Sequence, residues 1–345
     1  MEPLSVLVFG AGAIGSYVGG SLASKGHHVT FLDRSDTIDK IKFSGIHLRL
    51  INGQRIDLDE PQVSDNLQLV VSQRKFDFSI LAIKSFDTDT ALMDWIPLSR
   101  LIPPVLCLQN GVENESKLTN LLGADKVIAG TVTTAIGKQG QAIVVERLRG
   151  LGIHQQGNLT EQMYEAFLFA DLKPMLFKNA DSMKWSKMLT NLVANATSAI
   201  LGMTPLEILS HPDLYALEIG MLREILAVMK EKKIPVDNLP GTPSRLFAFL
   251  VKNIPIPFSQ RILKPAMSAG RGAKMPSFYL DLESGRGKSE VEFLNGAVAR
   301  FGKDSGVPTP INELLTNTLM DIITGKQARE AFYHKPERLL RHLVK

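Results

Sequence analysis

Cysteine and long apolar runs are scarce in this chain. Its single cysteine, Cys107, cannot form an intramolecular disulfide and lies in the apolar run 105–108, where a thiol behaves as a small hydrophobic side chain. No apolar run approaches the roughly 18 residues of a membrane span, and the N-terminal run 6–9 is too short for the core of a secretion signal. We therefore expect a cytoplasmic protein with no membrane partner.

An excess of either charge is also absent. The 39 lysines and arginines nearly balance 35 aspartates and glutamates, which leaves a net charge of +4. That surplus is too small to indicate a nucleic-acid partner. The 7 histidines are scattered, and His27 and His28 cannot face one ion from a strand, because neighbouring side chains point to opposite faces. The sequence therefore predicts no metal site and disfavours a metal hydrolase.

The length of 345 residues corresponds to about two domains. In the first half, short β-branched apolar runs alternate with helical segments, a pattern typical of a parallel sheet with helices on both faces. The predicted strands are residues 5–9, 28–32, 78–83, 105–108 and 126–130. From about residue 181 the pattern becomes mostly helical. We therefore predict an α/β, Rossmann-like dinucleotide-binding domain over 1–179 and an all-α substrate and catalytic domain over 180–345.

Two further strand pairs are predicted within the first domain. Asn52-Gly53 is a strong hairpin signal between residues 46–50 and 55–58, and we interpret this hairpin as an insertion at the edge of the sheet. Residues 142–146 and 151–154 flank Gly150, and we expect them to close the domain as an antiparallel pair.

The strongest functional motif follows the first predicted strand and reads Gly10-Ala11-Gly12-Ala13-Ile14-Gly15. In a dinucleotide-binding loop, the first glycine allows the tight turn, the second lets the backbone approach a pyrophosphate, and the third lets the helix pack on the strand. The start of the following helix attracts phosphates. Because a second strand ends about 20 residues later, the context predicts a dinucleotide site rather than a ligand-free strand-turn-helix.

Asp33 and Arg34, at the end of that second strand, favour different dinucleotides. A carboxylate accepts hydrogen bonds from the ribose 2′-hydroxyl of NAD, whereas a guanidinium accommodates the 2′-phosphate of NADP. The two residues leave both alternatives open, together with a stacking role for Arg34 on the adenine.

Two later strands also end in polar residues. Lys84 follows one strand and Gln109-Asn110-Gly111 follows the next. Ligands of open α/β sheets bind at these carboxyl ends of the strands. Each feature has a plainer alternative, since Lys84 can be a surface residue and Asn110-Gly111 can be a turn.

In the helical half, residues 184–199 carry an apolar face and a polar face. Lys187, Asn191 and Asn195 fall four residues apart, which predicts that they lie one above the next on a single helix. Asparagine is a poor helix former. Two asparagines at successive turns beside a lysine, with no carboxylate at helical spacing, indicate a polar ligand rather than an ordinary solvated face.

A last candidate segment runs from Ser277 to Glu290, immediately before another amphipathic helix. Glu290 and Glu292 lie at the predicted start of that helix. Carboxylates at a helix start interact favourably with the helix dipole, so a purely electrostatic role remains the alternative to substrate binding.

In this order, these segments resemble the ketopantoate reductase (2-dehydropantoate 2-reductase) family over nearly the whole chain. The resemblance implies reduction of a 2-oxo acid, ketopantoate, to pantoate by hydride from NADPH, a step of pantothenate biosynthesis. It implies that Lys187 is the general acid and that Glu290 anchors the substrate hydroxyl. The residues implied to bind substrate are Asn110, Asn191, Asn195 and Ser277. Those implied to bind the cofactor are Gly10, Ala11, Gly12, Ala13, Ile14, Gly15, Asp33, Arg34, Lys84 and Asn110.

Two features depart from the family pattern. Asp33 stands where many relatives carry a small neutral residue, so NAD remains an alternative to the favoured NADP, and residues 241–272 lengthen the chain. Two other functions also stay open: an oxidoreductase that acts on a different 2-oxo or 3-hydroxy acid, and dinucleotide sensing without turnover. A homodimer is compatible with the sequence, which does not determine the oligomeric state.

Overall fold

The structure, a computed structural model, describes residues 2–268 and 274–341. Two compact units divide the chain. Unit 1 comprises Met1–Gln109, Glu113–Lys184 and Leu239–Thr242, and unit 2 comprises Asn110–Val112, Trp185–Asn238 and Pro243–Lys345. The division at residues 184 and 185 falls inside a helix, slightly after the boundary predicted between residues 179 and 180.

Unit 1 contains all the strands that we name and the helices between them. The strands are β1 (Ser5–Phe9), β2 (His28–Leu32), β3 (Ile46–Arg49), β4 (Arg55–Leu58), β5 (Gln62–Ser64), β6 (Phe78–Leu81), β7 (Val105–Cys107), β8 (Val127–Val132), β9 (Ala135–Gln139), β10 (Ala142–Arg147), β11 (Leu151–His154) and β12 (Pro174–Phe177). The helices are α1 (Ala13–Ala23), α2 (Ser35–Ser44), α3 (Leu67–Gln73), α4 (Thr88–Trp95), α5 (Asn114–Leu122) and α6 (Asn158–Phe169). Helix α7 (Ala180–Asn191) begins in unit 1 and ends in unit 2.

An eight-stranded sheet forms the centre of unit 1, in the order β12-β11-β8-β7-β6-β1-β2-β5. From β5 to β8 all neighbours are parallel, and β11 joins β8 as an antiparallel strand. Leu7, Ile80 and Leu106 of the central strands are fully buried, because helices cover both faces of a parallel sheet. All five strands predicted from apolar runs are present, and the predicted Rossmann-like class is confirmed.

A second, four-stranded sheet has the order β4-β3-β10-β9. The predicted hairpin forms as β3 and β4, but its assignment to the edge of the main sheet is wrong, since β5 occupies that edge. Ile46 and Leu48 alternate with more exposed residues along β3 and pack on Gly20 of α1, where an added Cβ would lie 3.0 Å from Leu48 Cδ1. Helix α1 therefore supplies the apolar partner that this one-sided sheet needs.

The strands predicted around Gly150 also form, but they do not pair with each other. β10 is antiparallel to β9 in the second sheet, whereas β11 is antiparallel to β8 in the main sheet. Gly150 (φ +132°) lies where the chain passes from one sheet to the other.

Unit 2 is helical in its described residues, as predicted. Its further helices are α8 (Asn195–Leu201), α9 (Pro205–Ser210), α10 (Pro212–Glu231), α11 (Ser244–Asn253), α12 (Ile256–Ser268), α13 (Ser277–Glu283), α14 (Asn295–Ser305), α15 (Pro310–Ile323) and α16 (Pro336–Leu340). The segment 241–272, left unassigned by the sequence, contains α11 and α12, and its residues 269–272 lie outside the described part of the chain. In that part, no helix combines the length and apolar character needed to cross a membrane.

Helix α10 lies in the core of unit 2 and holds the starts of two other helices. Its Glu218 accepts hydrogen bonds from Ala194 N (2.7 Å) and Thr197 Oγ1 (2.5 Å) at the start of α8. Its Glu224 accepts from Ile311 N (2.8 Å) and Asn312 N (2.9 Å) at the start of α15. The first amides of a helix have no partner within that helix, so carboxylates from a neighbour satisfy them and also suit the positive end of the dipole.

The packing of α1 on β1 depends on Gly15, and we expect Gly15→Ala to destabilise unit 1. An added Cβ would lie 1.8 Å from Gly10 O, and such overpacking costs about 1–3 kcal/mol. Thermal unfolding should show a lower midpoint for Gly15→Ala. Gly12→Ala is the matched control, because a Cβ there meets no described atom within 4 Å and its φ is −73°. Equal midpoints for the two variants would contradict this packing.

Candidate functional site

The glycine loop joins β1 to α1 and leaves the start of α1 open. Gly10 has φ +94°, and an added Cβ would lie 2.8 Å from Ile83 Cγ2 and 3.0 Å from the carbonyl carbon of Ala82. Only glycine fits this turn against the end of β6. In contrast, the space in front of Gly12 holds no described atom within 4 Å. Among the described residues, the first turn of α1 has no side-chain cap and no acidic residue, so its amides and dipole can receive a pyrophosphate.

Asp33 connects the end of β2 to this loop. Its Oδ2 accepts a hydrogen bond from Ala11 N (2.7 Å), and its Oδ1 accepts one from Arg34 N (2.8 Å). Arg34 is exposed at the start of α2, where its Nε lies 3.9 Å from Asp36 Oδ1. The sequence pointed to both residues as ribose or phosphate contacts, but it gave no sign that Asp33 also holds the loop.

A buried chain of hydrogen bonds fixes the turns at the ends of β6 and β7. Gln109 Nε2 donates to Ile83 O (3.1 Å) and to Thr88 Oγ1 (2.8 Å). Thr88 Oγ1 donates to Asn114 Oδ1 (3.2 Å), and Asn114 Nδ2 donates to Ser85 Oγ (3.2 Å). Since Lys84 lies between Ile83 and Ser85, these contacts determine the path of the backbone that carries its side chain.

Lys184, at 5% exposure, continues this buried polar structure. Its Nζ lies 2.7 Å from Gln109 O, 3.2 Å from Gly130 O and 2.7 Å from Glu115 Oε1. The ammonium donates hydrogen bonds to the two carbonyls and forms an ion pair with the carboxylate. Burial by itself lowers the pKa of Lys184, but the neighbouring Glu115 and Cys107 together hold the pKa above its ordinary value. The ammonium therefore stays charged.

Lys184 was not among the residues predicted from the sequence, although its position along α7 pointed to it. Lys184 falls four and eight residues before Met188 and Leu192, which are buried, so it occupies the apolar face of α7. A lysine on such a face requires a buried partner. The sequence does not show that the partner is Glu115, which is distant along the chain.

In unit 2 the polar row predicted on one helix is divided between two. Helix α7 ends at Asn191 and α8 begins at Asn195, with Ala194 between them in the left-handed conformation (φ +54°). The expectation of a single continuous helix is therefore wrong. At the start of α8, the backbone amide of Ala194 and the hydroxyl of Thr197 donate hydrogen bonds to Glu218.

The break nevertheless brings three predicted residues together. Asn195, at 2% exposure, donates from Nδ2 to Asn191 O (3.3 Å) and to Ser277 Oγ (3.2 Å). Its Oδ1 accepts a hydrogen bond from Phe278 N (3.0 Å) at the start of α13. Asn195 thus joins α7, α8 and α13.

The other predicted residues of unit 2 lie on neighbouring elements. Lys187 is partly buried on α7, one turn before Asn191. Glu290 is buried at the first residue of the 3₁₀ turn Glu290–Phe293, after Ser289, whose Oγ accepts from Val291 N (3.2 Å). Asn110, in the turn after β7, groups with unit 2.

A Rossmann-like sheet with an open glycine loop, followed by a helical unit that carries polar side chains, defines the class of two-unit dinucleotide-binding proteins. The family model "Ketopantoate reductase PanE/ApbA" matches residues 6–159, and the C-terminal model of the same family matches residues 179–322. The chain therefore belongs to the ketopantoate reductase PanE/ApbA family and is an oxidoreductase of that type.

Individual relatives agree with this assignment. The chain is 27% identical to 2-dehydropantoate 2-reductase of Pyrococcus horikoshii, over 90% of this chain and 95% of that protein. It is 25% identical to the Lactococcus lactis enzyme of the same name, over 91% and 96%. A PanE/ApbA family ketopantoate reductase from Ralstonia eutropha shares its fold, with a TM-score of 0.77, 24% identity and coverage of 94% and 99%. D-mandelate dehydrogenase in complex with NADH and anilino(oxo)acetate also shares the fold, with a TM-score of 0.74, 21% identity and the same coverage.

We expect Lys184 and Glu115 to depend on each other for stability. Lys184→Met or Glu115→Leu alone leaves a buried charge without its partner, which typically costs about 3–5 kcal/mol. The double variant removes both charges and should cost clearly less than the sum of the single changes. A double-mutant cycle from denaturant unfolding measures this coupling. Additive effects of the two substitutions would contradict the ion pair.

Proposed function

We propose that this protein reduces ketopantoate to pantoate with NADPH, and that Lys187 is the general acid. The observation that carries the proposal is the hydrogen-bonded group of Asn191, Asn195 and Ser277. Its member Asn191 lies one helical turn from Lys187 on α7. The relatives from Pyrococcus horikoshii and Lactococcus lactis, both named 2-dehydropantoate 2-reductase, support the same substrate.

The residues of the glycine loop fit the pyrophosphate of a dinucleotide, because Gly12 faces open space at the uncapped start of α1. Gly10 to Gly15, including Ala11, Ala13 and Ile14, would hold the cofactor, with Lys84 and Asn110 at the neighbouring strand ends. When bound, NADPH supplies the hydride that adds to C2 of the oxo acid.

The protein's own side chains provide the proton and the orientation. The ammonium of Lys187 donates a hydrogen bond to the keto oxygen, stabilises the negative charge that builds there, and transfers its proton to form the hydroxyl of pantoate. Asn191, Asn195, Ser277 and Asn110 orient the substrate, and the carboxylate of Glu290 accepts a hydrogen bond from the hydroxyl of ketopantoate. The net reaction adds one hydride and one proton across the C2 carbonyl.

We propose NADPH rather than NADH because Arg34 presents an exposed guanidinium at the start of α2, where a 2′-phosphate would benefit from both the charge and the helix dipole. Backbone amides of Ala11 and Arg34 donate to the carboxylate of Asp33 and partly offset its charge. That same carboxylate beside the loop makes NADH the second candidate.

Lys187→Ala should lower kcat by about two to four orders of magnitude, because the reaction loses its general acid. Initial rates of NADPH oxidation with ketopantoate measure the effect. Lys230→Ala is the matched control, since Lys230 is an exposed lysine on α10 of the same unit. Near-normal turnover of Lys187→Ala would remove its assigned role.

A panel of 2-oxo acids tests the identity of the substrate. A clearly higher kcat/KM for another acid would show that ketopantoate is not the preferred substrate.

Arg34→Ala should raise the KM for NADPH about tenfold, which corresponds to the loss of one charged contact of roughly 1.4 kcal/mol. The KM for NADH should change by less than about twofold. Steady-state kinetics with both cofactors make the comparison, and Arg55→Ala, at an exposed arginine of β4, is the control. An equal change for the two cofactors would show that Arg34 does not contact a 2′-phosphate.

A further inference from the structure

The break between α7 and α8 interrupts the residues assigned above to substrate. Ala194 adopts the left-handed conformation there, with φ +54°. An alanine is disfavoured in this conformation because its Cβ approaches the following carbonyl oxygen. Such a residue persists only where surrounding contacts determine it, and conformations of this kind are concentrated at functional sites.

Glu218 of α10 supplies those contacts. Its side chain is fully buried and accepts hydrogen bonds from the backbone N of Ala194 (2.7 Å) and from Oγ1 of Thr197 (2.5 Å). The two donors lie on either side of Asn195 in the chain. A buried carboxylate without donors is strongly unfavourable, so Glu218 and the break depend on each other.

The break changes the direction of Asn195. In a continuous helix Asn195 would lie one turn beyond Asn191 on the same face. In the structure it contacts α13 instead, donating to Ser277 Oγ (3.2 Å) and accepting from Phe278 N (3.0 Å). The conformation that Glu218 holds is therefore the one in which Asn195 reaches Ser277.

We propose that Glu218 is a positioning residue for substrate binding, because it holds the left-handed Ala194 and thereby fixes Asn195 against Ser277. The substrate part of this inference rests on the proposed reduction of ketopantoate. Glu218 itself does not touch the substrate, and it acts through Asn195.

Kinetics of Glu218→Ala test the inference against a closely matched control. Glu224→Ala removes another carboxylate of α10, one that holds the start of α15 instead of α8. We expect both variants to unfold at lower temperature. Only Glu218→Ala should raise the KM for ketopantoate, by about tenfold, with the KM for NADPH unchanged. If the two variants lose stability alike and neither changes this KM, Glu218 is merely structural and the proposal is wrong.

Two further variants separate positioning from simple loss of a contact. Glu218→Gln keeps an acceptor oxygen and should raise the KM for ketopantoate less than Glu218→Ala does. Ala194→Gly, combined with Glu218→Ala, should restore part of the affinity, because glycine adopts the left-handed conformation without support. No difference between Gln and Ala at position 218, together with no rescue by Ala194→Gly, would overturn the proposal.

Amide hydrogen exchange provides a readout that does not depend on turnover. Loss of Glu218 should speed exchange of the Ala194 amide and also of the Phe278 amide, which binds Asn195 rather than Glu218. Glu224→Ala should leave both unchanged. Glu218→Gln gives the same readout with a smaller change if Glu218→Ala does not fold. Failure of the wild-type protein to reduce ketopantoate would overturn the proposed function alone, whereas unchanged Phe278 exchange would overturn the positioning role.

Discussion

Both units depend on hydrogen bonds to backbone amides and carbonyls at strand ends and helix starts. These backbone groups have no partner within their own strand or helix. Buried groups of this kind must find hydrogen bonds. In unit 1, Lys184 binds the carbonyl of Gln109, and Asp33 binds the amide of Ala11. In unit 2, Glu218 and Asn195 bind the amides of Ala194 and Phe278. Each contact lies beside a residue that we assign to cofactor or substrate. The same hydrogen bonds therefore satisfy buried backbone groups and determine the shape of the site.

Sequence reasoning succeeded where the physical cause is local. Strands β1, β6 and β7 are buried on both faces and therefore appear as nearly continuous apolar runs. The glycine loop was identified from its spacing. Two of its glycines are required sterically, because a Cβ at Gly10 or Gly15 would lie 3.0 Å or less from neighbouring atoms. Helical periodicity predicted the class of unit 2.

It failed where the cause is distant along the chain. Nothing within residues 184–199 requires a break, because the break is held by Glu218, a residue of a different helix. The second sheet was placed incorrectly since its apolar partner is α1, and a hairpin pattern does not show which element covers it. Hydrogen bonds link Asn195 to Asn191 and Ser277, but this arrangement comes from a turn and not from the helical face that the spacing predicted.

We propose that this protein transfers a hydride from a nicotinamide to C2 of ketopantoate. Incubation with NADPH deuterated at both C4 positions, followed by mass spectrometry of the product, tests it most directly. We expect pantoate that carries one deuterium at C2, formed in proportion to the NADPH consumed. Oxidation of NADPH without deuterium in the product, or no conversion of ketopantoate, would contradict it.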